Sequence, residues 1–223
     1  MKLIYHKAIT LKALNDRVTP YAARVIVRAN QGQDGLVGLL RHPEYHFNNT
    51  LSVGLDYLEQ QREVIFQVLN HTIADPDTTP LIAWKALGRL FHAIQDFYAH
   101  SNYVRLWVDL FAKETPQSPD QIDPVVEEIM THPDLGTGKV YFLEQISYPL
   151  FFIRPFSWRF LPHDAHLHMN LDHPGRGPLF AYAFTAARKR TKYEFERILK
   201  RLSPDQQMLF CGDVSVPAKD TNG

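Results

Sequence analysis

Apolar residues recur every three or four positions along most of this chain, the period of a helix with one buried face. Residues 3–14 place Leu3, Ile4, Ala8, Ile9 and Leu11 on that period and predict a first helix. Thr19-Pro20 has the form of an N-cap followed by Pro at the first helical position, so a second helix is expected to about Ala29. Gly32, Gly35 and Gly38 then predict a loop. From Asn49 or Thr50, LSVGLDYLEQQREVIFQVLN predicts a long amphipathic helix. DPDTTP reads as a turn whose Pro80 opens LIAWKALGRLFHAIQDFYAH, the most strongly periodic stretch. Between 113 and 162 the pattern weakens. There ETPQSPDQIDP reads as loop, VVEEIMTH as a short helix and LGTG as a turn, and YFLEQISYPLFFIRPFSWRFLP is rich in aromatics. Gly175, Gly177 and Pro178 introduce a last helix, LFAYAFTAARKRTKYEFERILKRL. After Ser203-Pro204 the chain turns polar, and 212–223 is expected to be a disordered tail. With no alternating strand series and no repeat, the expected fold is all-α. It is a single-domain multi-helix bundle over residues 1–211 with a metal-binding cleft between helices.

Composition narrows the function classes. A chain of 223 residues, 45% hydrophobic, buries a sizeable core without covalent staples. Lys+Arg and Asp+Glu are 24 each, so net charge is zero and a strongly basic nucleic-acid binder is excluded as the default. The single cysteine, Cys211, excludes an internal disulfide framework and a cysteine zinc finger. No apolar run approaches the roughly 18 residues of a membrane span. Lys7, Thr10 and Lys12 interrupt the stretch where a signal peptide needs unbroken apolar sequence. The expected location is cytoplasmic as the chain is written, or secreted if its N-terminus has been trimmed.

Eleven histidines change the picture. In HAIQDFYAH, His92, Asp96 and His100 stand at i, i+4 and i+8 and so share one stripe of a helix. Trp84, Leu87, Phe91, Ile94 and Tyr98 surround the stripe and turn it inward, where two imidazoles and a carboxylate need a partner. A metal ion satisfies that need; so would a hydrogen-bonded polar core. A second constellation lies in HDAHLHMNLDH. As a helix it pairs Asp164 with His168 and His168 with Asp172; as an extended stretch it puts Asp164, His166 and His168 on one face. His6, Asp34 and His46 are lone donors, and residues so placed more often serve an ordinary core, turn or capping role; none points to a site by itself. Nitrogen and carboxylate donors without cysteine suit zinc. Two clusters exceed what one ion requires and point to a multinuclear site between helices.

On these strings the sequence resembles the zinc-dependent phospholipase C superfamily, and within it the heterokaryon-incompatibility branch. ALGRLFHAIQDFYAHSNYV is similar to that branch's central helix. YHKAITLKAL resembles an early His-x-x-Ile element, and ANQGQD followed by EYHF an Asp-to-His-Phe pair. His168 and Asp172 resemble a late His-x-x-x-Glu element. The resemblance implies a trinuclear zinc cleft with His6, Asp34, His46, His92, Asp96, His100, His168 and Asp172 as ligands. Met1 stands in place of that superfamily's N-terminal Trp, and Asn48 and Asn49 where it has an acidic residue.

The expected function is zinc-dependent hydrolysis of phosphodiester bonds, phospholipase C-like, with two to three zinc ions and zinc-bound water as nucleophile. Asp34 is the expected catalytic residue, as ligand, as general base, or as both. Phospholipid is favoured over single-stranded nucleic acid as substrate. Phe151, Phe152, Phe156, Trp158 and Phe160, beside Arg154 and Arg159, suit peripheral membrane contact or a cap on the helical core. Arg188, Lys189, Arg190 and Lys192 form a basic stretch that suits a solvated face or an anion-attracting one. The alternatives are a non-catalytic, metal-stabilised interaction module and a zinc-dependent nuclease.

Overall fold

The computed structural model describes residues 1–48, 50–74, 80–112, 117–143 and 159–212. Its organising element is α5 (Leu81–His100), in which every residue from Ala83 to His100 is buried except Lys85 and Arg89. A helix apolar on nearly all sides is stable only if neighbours cover it. Here α2 (Pro20–Gly32), α4 (Leu51–Ala74) and α9 (Leu179–Arg201) do so, while α1 (Leu3–Leu14) packs between α2 and α9. The fold is all-α: among the described residues there is no strand, only isolated bridges at Ser101–Thr137 and Lys139–Ala165.

Local chemistry accounts for the helix boundaries. Thr19 caps α2, its hydroxyl accepting from the Ala22 N–H, with Pro20 at the first position. Gly88 lets α2 approach α5 closely, because a Cβ there would stand 2.3 Å from the Ile26 carbonyl oxygen. Arg62 on α4 is clasped to the fully buried Glu194 on α9, Nε to Oε1 at 2.7 Å and Nη2 to Oε2 at 3.2 Å.

Two expectations from sequence need correction. The glycine-rich stretch after Ala29 is not simply loop: α2 continues to Gly32, and a short helix α3 (Leu36–Arg41) follows Gly35. Glycine weakens a helix by about 1 kcal/mol but does not forbid one. At Gly38 its lack of a side chain is required, since a Cβ would lie 2.0 Å from the Gln33 carbonyl oxygen. Nor is the helix ending near Leu202 the last one. A capping box of Ser203 and Gln206 with Pro204 starts a further helix, α10 (Pro204–Cys211), which buries Phe210 completely. The Trp84 indole N–H donates to the Phe210 carbonyl at 2.7 Å and ties this helix to the start of α5. Shorter elements complete the order: α6 (Tyr103–Phe111), α7 (Glu127–Met130) and α8 (His166–Met169). Residues 213–223 of the expected tail lie outside the described residues. So do Phe151, Phe152, Arg154, Phe156 and Trp158; Arg159 and Phe160 are described, and both are exposed. No described helix is long and apolar enough to cross a membrane.

Candidate metal centre

Helical spacing on α5 projects His92, Asp96 and His100 toward one point, and three other segments converge there. Asp96 is the hub, with no exposed surface. Its Oδ2 lies 2.9 Å from His46 Nδ1 and 3.1 Å from His92 Nε2. Its Oδ1 lies 3.2 Å from His6 Nε2 and accepts a hydrogen bond from the Met1 ammonium. His46 Nδ1 and His92 Nε2 are 3.1 Å apart, and Asp34 Oδ1 is 3.8 Å from each.

Each donor is placed by its own segment. His6 comes from α1, where its Nδ1–H donates to Gln95 Oε1 at 2.6 Å. The orientation of Gln95 is fixed in turn by its Nε2–H bonds to Thr10 and Thr191 and by donation from Asn30. This network leaves the His6 Nε2 lone pair turned toward Asp96, the arrangement by which outer hydrogen bonds set a ligand tautomer. His46 closes a 3₁₀ turn, Pro43–His46. The next residue, Phe47, is fully buried in a left-handed conformation (φ 50°) against Gly54 of α4 and pins the turn in place. His100 Nδ1–H donates to the His46 carbonyl at 2.8 Å, which directs His100 Nε2 to Asp172 Oδ1, also at 2.8 Å.

Two donor groups result. His6, Asp34, His92 and Asp96 form one, with His46 against it; His100, His166 and Asp172 form the other. The Met1 ammonium lies between them, bonded to Asp96 and 3.1 Å from Asp172 Oδ1. The space between the two carboxylates therefore favours positive charge. Ligands held at about 2.0–2.1 Å from zinc in a tetrahedron stand roughly 3.3 Å apart, and the separations of 2.9 to 3.8 Å around Asp96 fit that requirement. His6 Nε2, which faces Asp96, is buried without a hydrogen-bond partner, an arrangement that is costly without a further ligand.

Burial and charge set the protonation states in opposite directions. Burial raises the Asp96 carboxyl, but the Met1 ammonium and the histidines outweigh it and hold the group well below the usual carboxylate range. Burial and the nearby His6 push His92 down to about 4, so it is a neutral ligand. His6 is lowered by burial and by the Met1 ammonium. His100 is raised, because Asp96 and Asp172 overcome its burial. Asp34 is raised by burial and by the neighbouring Asp96, against the pull of His92. The side chains of Asp34 and Asp172 are 21% and 26% exposed and form the open edge of the site.

Of the residues singled out from sequence, His6, Asp34, His46, His92, Asp96, His100, His166 and Asp172 come together. Asp164 and His168 stand apart from both groups. Asp164 pairs on the surface with Lys139 Nζ at 2.9 Å and accepts from the Tyr141 hydroxyl at 2.8 Å. α8 is a single turn, so residues two apart diverge by about 200°. His166 therefore points inward and His168 away from it. Gln95 and Asn30 were not singled out. The available signal was a buried Gln inside the histidine stripe, next to Asp96.

A helical bundle enclosing a buried histidine–aspartate cluster is the class of protein that this fold and site define. The chain belongs to the VWA7 N-terminal domain family, whose model matches residues 4–130. The mouse (Mus musculus) von Willebrand factor A domain-containing protein 7 is 35% identical over 82 residues, a match covering 36% of this chain and 8% of the mouse protein. The chain thus corresponds to a small part of that relative. No solved structure matches. These findings correct the resemblance to the zinc-dependent phospholipase C superfamily, to which none of them points. That resemblance rested on the central-helix string and on short donor-bearing strings around His6, Asp34, His46 and His168, and the four-residue spacing in the longest of them arises on any buried helix carrying histidines and aspartate, irrespective of ancestry. The matched span contains His6 through His100 and ends before His166 and Asp172.

Proposed function

We propose that this domain binds divalent metal, zinc foremost, in the His/Asp cluster and uses it to hydrolyse a phosphodiester bond. The observation that carries the reading is the convergence of His46 Nδ1, His92 Nε2 and Asp96 Oδ2 within 3.1 Å of one another, with Asp34 at the open edge. Zinc held there would stabilise charge on a phosphate oxygen and lower the pKa of a water to about 7. The chain supplies the rest. Asp96 anchors the donor set, and Gln95 fixes His6. Asp34, its carboxyl raised and partly exposed, is placed to take the proton from the attacking water. Phospholipid is favoured over nucleic acid, because the zero net charge lacks the cationic excess a nuclease uses. Phe142 and Phe160, each 76% exposed, suit contact with a lipid surface.

A second reading, a closed metal-stabilised module, is favoured by the complete burial of His6, His92 and Asp96. Elemental analysis of untagged protein, with His92→Ala and His46→Ala beside it, tests the first step. Two or more zinc ions per chain, lost in both variants while helical circular dichroism persists, are expected. The second step is turnover of bis(p-nitrophenyl) phosphate and of phosphatidylcholine vesicles. Activity abolished by Asp34→Asn with metal retained supports hydrolysis; bound metal without turnover selects the closed module. No zinc uptake on reconstitution refutes both.

A further inference from the structure

We propose that the cleft bordered by α1, α2 and the start of α5 binds a ligand carrying several phosphate groups. It is an open cleft of about 1340 Å³, and none of the metal-centre donors lines it. Five cations do: Lys7 on α1, Arg24 and Arg28 on α2, and Lys85 and Arg89 on α5. Asp16 is the one carboxylate among its described lining residues. The chain as a whole has zero net charge, so this is a segregated excess.

The five cations are exposed, and none is ion-paired among the described residues. The contrast lies on α9, whose basic stretch drew attention in the sequence. There Arg188 reaches Asp120 at 3.3 Å, Lys189 donates to the carbonyls of Asp120 and Ile122, Arg190 lies 3.8 Å from Glu194, and Lys192 lies 3.9 Å from Glu196. That stretch is partnered from within the molecule, by carboxylates and, at Lys189, by backbone carbonyls; the five cleft cations have no ion-pair partner among the described residues.

The geometry favours phosphate. Arg24 and Arg28 are one helical turn apart, as are Lys85 and Arg89, so each pair repels unless an anion lies over it. Gly88 brings the two helices into contact and holds both pairs beside one cleft. Three guanidinium forks among five cations suit oxyanions that accept two parallel hydrogen bonds. A compact scaffold with several phosphates matches this arrangement, either as a soluble polyphosphate or as a phosphoinositide headgroup.

The full chain is titrated calorimetrically with inositol hexakisphosphate at physiological salt, and in parallel sedimented with phosphatidylcholine vesicles with and without phosphatidylinositol 4,5-bisphosphate. The expected result is saturable one-to-one binding to the soluble ligand, to the phosphoinositide vesicles, or to both. Arg28→Glu with Lys85→Glu weakens it about tenfold or more, while Arg188→Glu with Lys192→Glu leaves it unchanged. Both pairs are on the surface, and unchanged circular dichroism establishes that the variants are folded. The proposal is overturned if neither phosphate probe saturates, if the cleft variant binds as well as the parent, or if poly-glutamate binds as tightly.

Discussion

Replacing Gly88 with alanine probes the contact that places Asn30 and, through Gln95, His6. A Cβ there would stand 2.3 Å from the Ile26 carbonyl oxygen, 2.8 Å from Ala29 Cβ and 2.9 Å from the Asn30 nitrogen. Ordinary contacts between carbon atoms are about 3.5–4.0 Å, so α2 must retreat by about 1 Å. Two of the three obstructions are backbone atoms of a packed helix, which cannot swing away as a side chain can. Overpacking of this kind costs about 1–3 kcal/mol, and alanine returns about 1 kcal/mol of helix propensity. With the obstruction at the top of that range, the expected net loss is about 2 kcal/mol, or a melting temperature lower by about 4–8 °C. Gly32→Ala is the control: nothing lies within 4 Å of its Cβ, and the change should be neutral or stabilise by up to about 1 kcal/mol. Urea unfolding with an unchanged slope measures both, and zinc titration of Gly88→Ala should show weakened binding as the Asn30–Gln95–His6 chain is displaced. If Gly88→Ala is as stable as the parent, the close approach of α2 to α5 is wrong, and with it this account of how His6 is held.

Three other predictions test different parts of the molecule. Arg62→Met strands the buried Glu194 with only Arg190 and Arg197 near it; urea unfolding should show a loss of about 3 kcal/mol, most of it recovered by adding Glu194→Leu. Glu194 is held below its usual value because Arg62, Arg197 and Arg190 outweigh its burial, so its contribution is present above the unfolded carboxyl pKa and is lost as pH falls through the folded one. Arg62→Met should flatten that acid limb. In the presence of a chelator, His92, pushed down to about 4 by burial and by His6, remains neutral in the fold while the unfolded chain protonates at about 6.5. Its stabilisation is therefore complete above pH 6.5 and declines by about 3 kcal/mol toward pH 4, a slope that His92→Gln should remove. Trp84→Phe loses the hydrogen bond to the Phe210 carbonyl; it should cost about 1 kcal/mol and speed amide exchange in α10 before other helices.

Much of this was legible along the chain because helices are local. The periodic apolar residues of Leu81–His100 specify both a helix and an inward histidine stripe, since the 3.6-residue repeat ties residues four apart to one face. Thr19-Pro20 fixes the start of α2 for the same local reason. Ser203-Pro204 carries an equivalent signal, yet the polar residues that follow obscured α10; only the pocket that receives Phe210 reveals why that segment folds back. His166 and His168 could not be separated in sequence, because helical and extended readings of HDAHLHMNLDH assign different faces.

What the sequence alone determined is the all-α class and the donor stripe on α5, properties set within a few residues of backbone. Only tertiary structure decided which distant donors join that stripe: His6 held by Gln95, His46 set by the burial of Phe47, and His166 and Asp172 brought in beside His100. It also decided that the cations of α9 find partners within the molecule while five cations on three separate helices share one cleft without ion-pair partners among the described residues. Such convergence depends on helix packing and on where charges find partners, and neither is written in the spacing of any single segment.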